Sequence, residues 1–128
     1  MAAGLQIDTD VLIDYLRGRA EAIAYLESVT EPLSVSAVSV AELYAGVREG
    51  AERAALEQFL AAFEIIPVDR AIAVAGGLYR RDYGKSHATG LADALIAATA
   101  ASTQSTLVTL NDKHFSMLAK TFVPYRKP

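Results

Sequence analysis

Short apolar runs alternate with helical segments along this 128-residue chain, and that alternation limits the possible folds more than any other feature. Residues 5–7, 33–35, 64–68 and 106–109 are predicted as strands, with 121–123 as a further edge strand. Pro67 favours an edge position or a strand end. Strands that alternate with helices form a parallel sheet covered on both faces. The prediction is a three-layer α/β/α fold with a mostly parallel sheet of four or five strands.

Helices are predicted between these strands from apolar residues at helical spacing and from capping residues. The first follows Asp8 and stops near Gly18, and a later one ends near Gly50. Gly76 and Gly77 would weaken the longest helix but let a neighbour approach closely. No repeat or linker divides the chain, so residues 1–128 are predicted to form one domain. The remaining helices are predicted over residues 20–29, 52–63, 70–83, 91–102 and 114–118.

Composition excludes several classes of protein. Hydrophobic residues make up 52% of the chain, which supplies a sizeable core and argues against disorder. There is no cysteine, so any metal ion has to be held by oxygen or nitrogen ligands. No apolar run is long enough to span a membrane, and the first residues lack the pattern of a signal peptide. We expect a cytoplasmic protein without a membrane partner.

Acidic residues stand where several apolar segments meet a turn. Asp8 follows the first strand, and Glu42 and Asp93 are each expected in the first turn of a helix. Asp112 follows the fourth strand, beside Asn111. Such positions converge on one crevice at the carboxyl ends of parallel strands. Clustered carboxylates repel one another, and hard cations such as Mg²⁺ or Mn²⁺ take oxygen ligands. The pattern predicts a metal site, whose common chemistry is phosphodiester hydrolysis.

Helix capping offers a competing explanation for two of these acids. Asp8 is a good N-cap for the helix that follows it, although Thr9 could fill that role alone. Ser39 and Glu42 match a capping box, in which the glutamate reaches back to the cap residue, and Ser36 is an alternative cap for the same helix. In the metal-site interpretation, we expect the Thr9 hydroxyl to hydrogen-bond the Asp8 carboxylate. Ser39 would position substrate or water.

The other polar residues receive unequal support from the sequence. The helix that carries Asp93 is apolar on nearly all sides, so its carboxylate is predicted to be buried and to need a cationic partner. Asn111 and Asp112 form a common turn pair, and either could complete the site. His114 has no paired metal-ligand spacing and is expected at the surface or at a helix cap. Asp14 is expected to face solvent.

Four blocks of sequence resemble those of a known family. They are IDTDVLIDYL, SAVSVAELYAGV, LADALIAATA and LVTLNDKHF, and they occur in an order and spacing that span nearly the whole chain. The chain resembles PIN-domain ribonucleases of the VapC toxin type. The resemblance implies a PIN-like fold in which Asp8, Glu42 and Asp93 bind Mg²⁺ or Mn²⁺ and activate water for RNA cleavage. The family's fourth acidic position aligns best with Asn111, while His114 stands where many relatives carry an aspartate.

The same resemblance implies three partners. Toxins of this type act on RNA and are commonly homodimers. Each is neutralised by an antitoxin, whose C-terminal segment covers the active-site groove. Apolar stripes on the first and third predicted helices could frame such a groove for a partner helix.

The predicted function is therefore a metal-dependent endoribonuclease, the toxin of a type II toxin–antitoxin system. The net charge of −3 argues at first against RNA, but without the four proposed site acids 11 acids face 12 Lys and Arg. Arg80, Arg81 and Lys85 either hold phosphates or form a solvated helix end. One alternative is a catalytically silent PIN-type module that binds RNA or protein. A receiver-like signalling domain is the other, although the chain lacks the mid-chain aspartate that a receiver phosphorylates.

Overall fold

The computed structural model describes residues 4–128. The strands in this range are β1 (Leu5–Ile7), β2 (Leu33–Ser36), β3 (Glu64–Ile66), β4 (Thr106–Val108) and β5 (Thr121–Phe122). The helices are α1 (Thr9–Leu16), α2 (Ala20–Ser28), α3 (Ala37–Ala45), α4 (Ala51–Leu60), α5 (Arg70–Tyr83) and α6 (Leu91–Thr103), with a 3-10 helix at Asp112–Phe115. None of the helices in this described range is both long and apolar enough to cross a membrane.

The sheet has the strand order β3-β2-β1-β4-β5, and every neighbouring pair is parallel. The chain adds strands on one side of β1 and then crosses to the other side to form β4 and β5. The order therefore reverses between β1 and β4, where Ile7 is in register with Val108. In open α/β sheets, ligands bind beyond the carboxyl ends of the strands at such a reversal. The residues directly after β1 and β4 are placed to form a site.

Side chains on the strands alternate between two cores, one on each face of the sheet. Ile7, Val35 and Val108 pack with residues of α1, α2, α3 and α4. Leu107 faces the other way and packs with α6 and the 3-10 helix, and α5 lies against α6. This is the predicted three-layer α/β/α arrangement with a fully parallel five-stranded sheet. β3 is at an edge, as Pro67 indicated.

Of the two serines predicted as possible caps of α3, the first begins the helix, and the helix ends earlier than predicted. Ser36 is its N-cap, and the Ser36 hydroxyl oxygen accepts a hydrogen bond from the Val38 N–H at 3.0 Å. Ser39 therefore lies inside the helix, and the capping box with Glu42 does not form. Glu42 falls in the second turn of α3 rather than in the first. The helix ends at Ala45, earlier than predicted, and Gly46 is its C-cap residue.

Close packing of α5 on α6 depends on Gly76. A Cβ atom at this position would lie 2.5 Å from Leu95 Cδ2 and 3.2 Å from Leu95 Cα, so a side chain could not be accommodated without movement. A Cβ atom at Gly77 would face open space. The predicted close approach is confirmed for the first of the two glycines and is wrong for the second.

Candidate active site

Four carboxylates line one cavity of about 320 Å³ beyond the carboxyl ends of β1 and β4. They belong to Asp8, Asp10, Glu42 and Asp93. No lysine or arginine is among the described residues that line this cavity. Within this described lining, His114 is therefore the one side chain that could carry a positive charge beside the carboxylates. The other lining residues are Thr9, Ile13, Asn111, His114 and Phe115.

Asp8 is the buried centre of this group, with only 6% of its surface exposed. It follows β1 and occupies the N-cap position of α1. Asp8 Oδ1 accepts a hydrogen bond from the Thr9 N–H at 2.8 Å, and Oδ2 accepts one from the Thr109 hydroxyl at 2.8 Å. Burial and, next, repulsion from Asp10 raise the pKa of Asp8 to about 7, with a smaller contribution from Asp93, although both hydrogen bonds oppose the shift. A nearby cation would favour the ionised form.

Asp10 is a further carboxylate of the site, although it was not among the predicted metal ligands. Its Oδ1 accepts a hydrogen bond from the Val11 N–H at 2.8 Å, and its Oδ2 accepts one from the Leu110 N–H at 3.1 Å. Asp10 thus joins α1 to the segment after β4. Burial raises its pKa, against the two backbone hydrogen bonds. The available signal was a second carboxylate, two residues beyond the strand-end Asp8.

A chain of hydrogen bonds holds Glu42. The Thr9 hydroxyl lies 2.7 Å from Glu42 Oε1 and 2.8 Å from the Ser39 hydroxyl oxygen. Because an ionised Glu42 can only accept and Thr9 has a single hydroxyl proton, Thr9 donates to Glu42 and Ser39 donates to Thr9. The prediction that the Thr9 hydroxyl bonds Asp8 is wrong, because its neighbour across the helix interface is Glu42. Thr109, which the sequence did not single out for this role, bonds Asp8 instead.

Asp93 and His114 meet at the other wall of the cavity. Asp93 is the third residue of α6, and its Oδ2 lies 3.3 Å from His114 Nδ1. The helix is buried as predicted, but the Asp93 side chain is 32% exposed, so the expectation of a buried carboxylate is wrong. His114 is half-buried and faces the site, which corrects its expected surface position.

Asn111 and Asp112 are neighbours after β4, but only one of them lines the cavity. Asn111 lines the cavity, and its backbone N–H donates to the Thr109 hydroxyl oxygen at 3.1 Å. Asp112 is exposed at the start of the 3-10 helix and is not part of the lining. Of the two residues that the sequence left open, the structure brings only Asn111 to the cavity.

Asp14, which was expected to face solvent, is instead buried under the C-terminal residues. The Tyr125 hydroxyl donates to Asp14 Oδ2 at 2.8 Å, and Lys127 Nζ donates to Oδ1 at 2.9 Å. Burial alone would raise the pKa of Asp14, but the hydrogen bonds from Lys127 and Tyr125 outweigh it and lower the pKa. Burial and the bond to Asp14 raise the pKa of Tyr125. We call Asp14, Tyr125 and Lys127 the C-terminal clasp.

The side chains in the cavity suit a hard cation chemically but do not enclose one as they stand. Within residues 4–128, no three Asp, Glu or His side chains are grouped closely enough to hold a metal ion. Glu42 is turned toward Thr9, and Asp93 toward His114. Mg²⁺ nonetheless keeps several waters and is commonly bound through one or two carboxylates, so a closed protein cage is not required. The oxygen-rich lining, the raised pKa of Asp8 and the absence of lysine and arginine from the described lining residues fit such an ion.

Comparison with known proteins identifies the family. The sequence profile of the PIN domain matches residues 6–121, which is most of the chain. The chain belongs to the PIN-domain family. This PIN domain is 42% identical over 125 residues to Ribonuclease VapC10 of Mycobacterium tuberculosis, a match that covers 95% of this chain and 93% of the relative. It is 40% identical over 124 residues to Ribonuclease VapC19 of the same organism, covering 93% and 98%.

Solved structures share the fold over nearly the full length of this PIN domain. A toxin–antitoxin complex from Klebsiella pneumoniae contains a chain that matches with a TM-score of 0.83 and 28% identity, covering 98% of this chain and 100% of that one. FitAcB from Neisseria gonorrhoeae matches with a TM-score of 0.76 and 29% identity, covering 94% and 97%. The PIN-like fold expected from the sequence is confirmed.

Proposed function

We propose that this PIN domain is a metal-dependent endoribonuclease that acts in the cytoplasm as the toxin of a type II toxin–antitoxin pair. The observation that carries the proposal is the cavity at the β1–β4 reversal, whose described lining contains four carboxylates and no lysine or arginine. Relatives named as ribonucleases, at 42% and 40% identity over nearly the whole chain, support the class of reaction.

Asp8 and Asp93 would hold a Mg²⁺ or Mn²⁺ ion, with Glu42 binding it directly or through water. When bound, such an ion polarises the phosphate and lowers the pKa of a water molecule. The Thr109 hydroxyl and the Thr9 N–H keep the Asp8 carboxylate oriented. Glu42 would orient the attacking water, and Asn111 would position the phosphate from the opposite strand end. The Thr109 hydroxyl, bonded to Asp8, and the Thr9 hydroxyl, bonded to Glu42, would thus act by positioning these two carboxylates.

A cleavage assay tests the proposal directly. Wild-type protein should cut RNA with Mg²⁺ or Mn²⁺ and lose activity in EDTA. Asp8→Asn and Asp93→Asn should each lower the rate by at least about a hundredfold, the order of loss seen when an enzyme loses one preorganised group that stabilises its transition state. Asp112→Asn is the matched control, because Asp112 is exposed and does not line the cavity, and it should keep its activity.

Three results of this assay would count against the proposal. Full activity in EDTA, or in both Asp8→Asn and Asp93→Asn, would contradict the mechanism. A wild-type protein that binds RNA but cleaves none with either metal ion would favour the catalytically silent module. The receiver-like alternative is already excluded, because the chain belongs to the PIN-domain family.

The antitoxin would bind in a groove of about 480 Å³ between α1, α3 and α4. Leu16, Leu43, Val47 and Leu56 give the groove an apolar floor, and Glu42 lies in the lining of both the groove and the carboxylate cavity. A helix seated there would therefore reach the entrance of the site. Similar folds in toxin–antitoxin complexes support this kind of partner.

Charge substitution in the groove tests the antitoxin partner. Leu16→Glu should weaken co-purification with the protein encoded by the adjacent reading frame, because Leu16 is exposed and apolar in the groove. The variant should still cleave RNA. Unchanged co-purification would contradict this placement.

A homodimer would bury exposed apolar side chains of α5 and α6, namely Val74, Leu78 and Leu91. All three side chains are large, apolar and exposed. Val74 and Leu78 are one helical turn apart and so share a face. Val74→Glu should shift the protein to monomer in sedimentation equilibrium, and a mass equal to that of wild type would contradict the interface.

A further inference from the structure

His114 and Asp93 present two donor atoms at the separation of neighbouring metal ligands. His114 Nδ1 and Asp93 Oδ2 are 3.3 Å apart. In an octahedral site with bonds of about 2.1 Å, adjacent ligand atoms lie about 3 Å from one another. One ion could therefore contact both atoms after only small side-chain movements.

Two hydrogen bonds hold the backbone of His114 beside the cavity. The Thr89 hydroxyl donates to the His114 carbonyl at 2.8 Å, and the His114 N–H donates to the Asn111 carbonyl at 3.1 Å. Thr89 is itself buried, which fixes the backbone at this point. The imidazole is thus presented to the cavity by an anchored turn.

His114 Nδ1 has two polar neighbours, Asn111 and Asp93. Asn111 Nδ2 lies 3.2 Å from His114 Nδ1 and 3.5 Å from His114 Nε2, and it can donate only to a nitrogen that carries no proton. A proton on Nδ1 would instead be donated to Asp93. In the tautomer in which Nδ1 carries no proton, its lone pair and the Asp93 carboxylate are two acceptors 3.3 Å apart. A metal ion between them satisfies both.

We propose that His114 is a nitrogen ligand of the metal ion in this site, beside Asp93, and that it makes the site favour a first-row transition ion such as Mn²⁺ over Mg²⁺. This inference rests on the proposed metal-dependent function and adds the choice of ion to it. Mg²⁺ is held almost entirely by oxygen, whereas imidazole is a good ligand for borderline transition ions. An aspartate at position 114 would leave only oxygen ligands.

Pulsed electron paramagnetic resonance of the Mn²⁺-loaded chain tests the ligand directly, because a coordinated imidazole nitrogen gives a ¹⁴N coupling to the metal. The chain has only two histidines, so the assignment needs two variants. His114→Asp removes the proposed ligand and keeps a donor oxygen. His87→Gln is the matched control, since His87 is exposed and does not line the cavity. Calorimetric titration with Mn²⁺ and with Mg²⁺ completes the set.

We expect the ¹⁴N coupling in wild type and in His87→Gln, and its loss in His114→Asp. The preference for Mn²⁺ over Mg²⁺ should fall at least about tenfold in His114→Asp. This is the smallest loss of metal affinity usually seen when a residue that only hydrogen-bonds a metal ligand is replaced. Bound Mn²⁺ without ¹⁴N coupling in wild type would overturn this inference and leave the metal-dependent function standing. Absence of Mn²⁺ and Mg²⁺ binding by wild type would overturn both. The wild-type and His87→Gln spectra decide the matter even if His114→Asp does not fold.

Discussion

Removing the Tyr125 hydroxyl from the C-terminal clasp should destabilise the whole protein. Tyr125→Phe deletes one donor to the buried Asp14 carboxylate and changes little else. A hydrogen bond to a charged group contributes about 1.5–3 kcal/mol, and we take about 1.5 because Lys127 still donates to Asp14. With an unfolding entropy of about 2.1 cal/mol/K per residue over 128 residues, this corresponds to a fall in Tm of about 5–6 °C.

Thermal unfolding at neutral pH, followed by circular dichroism, measures this fall. Tyr83→Phe is the control, because no described residue is hydrogen-bonded to the Tyr83 hydroxyl, and it should shift Tm by less than about 2 °C. In an Asp14→Ala background, Tyr125→Phe should cost less than about 0.5 kcal/mol, since the acceptor is gone. Equal Tm values for Tyr125→Phe and Tyr83→Phe would refute the reasoning.

Three further predictions follow from the packing and the carboxylates. Gly76→Ala should lower stability by about 1–2 kcal/mol through overpacking, whereas Gly77→Ala should raise it by about 0.5–1 kcal/mol through helix propensity. Urea unfolding measures both changes, and equal stabilities of the two variants would contradict the close contact at Gly76. Burial raises the pKa of Asp8 to about 7 in the folded state, so the stability contributed by its protonated form is fully present below pH 4 and is lost as pH rises through 7. Because metal-free Asp8→Asn cannot ionise at this position, its free energy of unfolding should gain on the order of 2 kcal/mol relative to wild type between pH 5 and pH 8. A difference between the two proteins that does not change with pH would contradict burial of the charge. Thr9→Val should release Glu42 and lower RNA cleavage about tenfold without loss of Mn²⁺ binding, and a wild-type rate would show that the hydrogen bond does not orient Glu42.

The parts of the site that could be predicted are those fixed by strand ends. Asp8 and Asn111 follow β1 and β4, and the parallel register of these strands brings such positions together. The parallel sheet with helices on both faces was predicted from the alternation of strands with helices. The strand order was not predicted and comes from the structure. Local pattern and topology therefore sufficed to locate the cavity.

Side-chain direction and long-range partners could not be predicted in the same way. Asp93 belongs to a buried helix, but a first-turn side chain points back past the helix start, here into the cavity. Asp14 looked like a solvent-facing residue because its partners, Tyr125 and Lys127, are 111 and 113 positions away. Glu42 depended on which serine caps α3, a choice between two equally good local signals.

The hydrogen bond from Thr109 to Asp8 joins residues 101 positions apart, and the one from Leu110 to Asp10 spans 100. During synthesis, the first carboxylates therefore leave the ribosome long before the groups that orient them. A copy that ends before Thr109 would lack both hydrogen bonds, so the carboxylates of Asp8 and Asp10 would not be held in the orientation seen in the cavity.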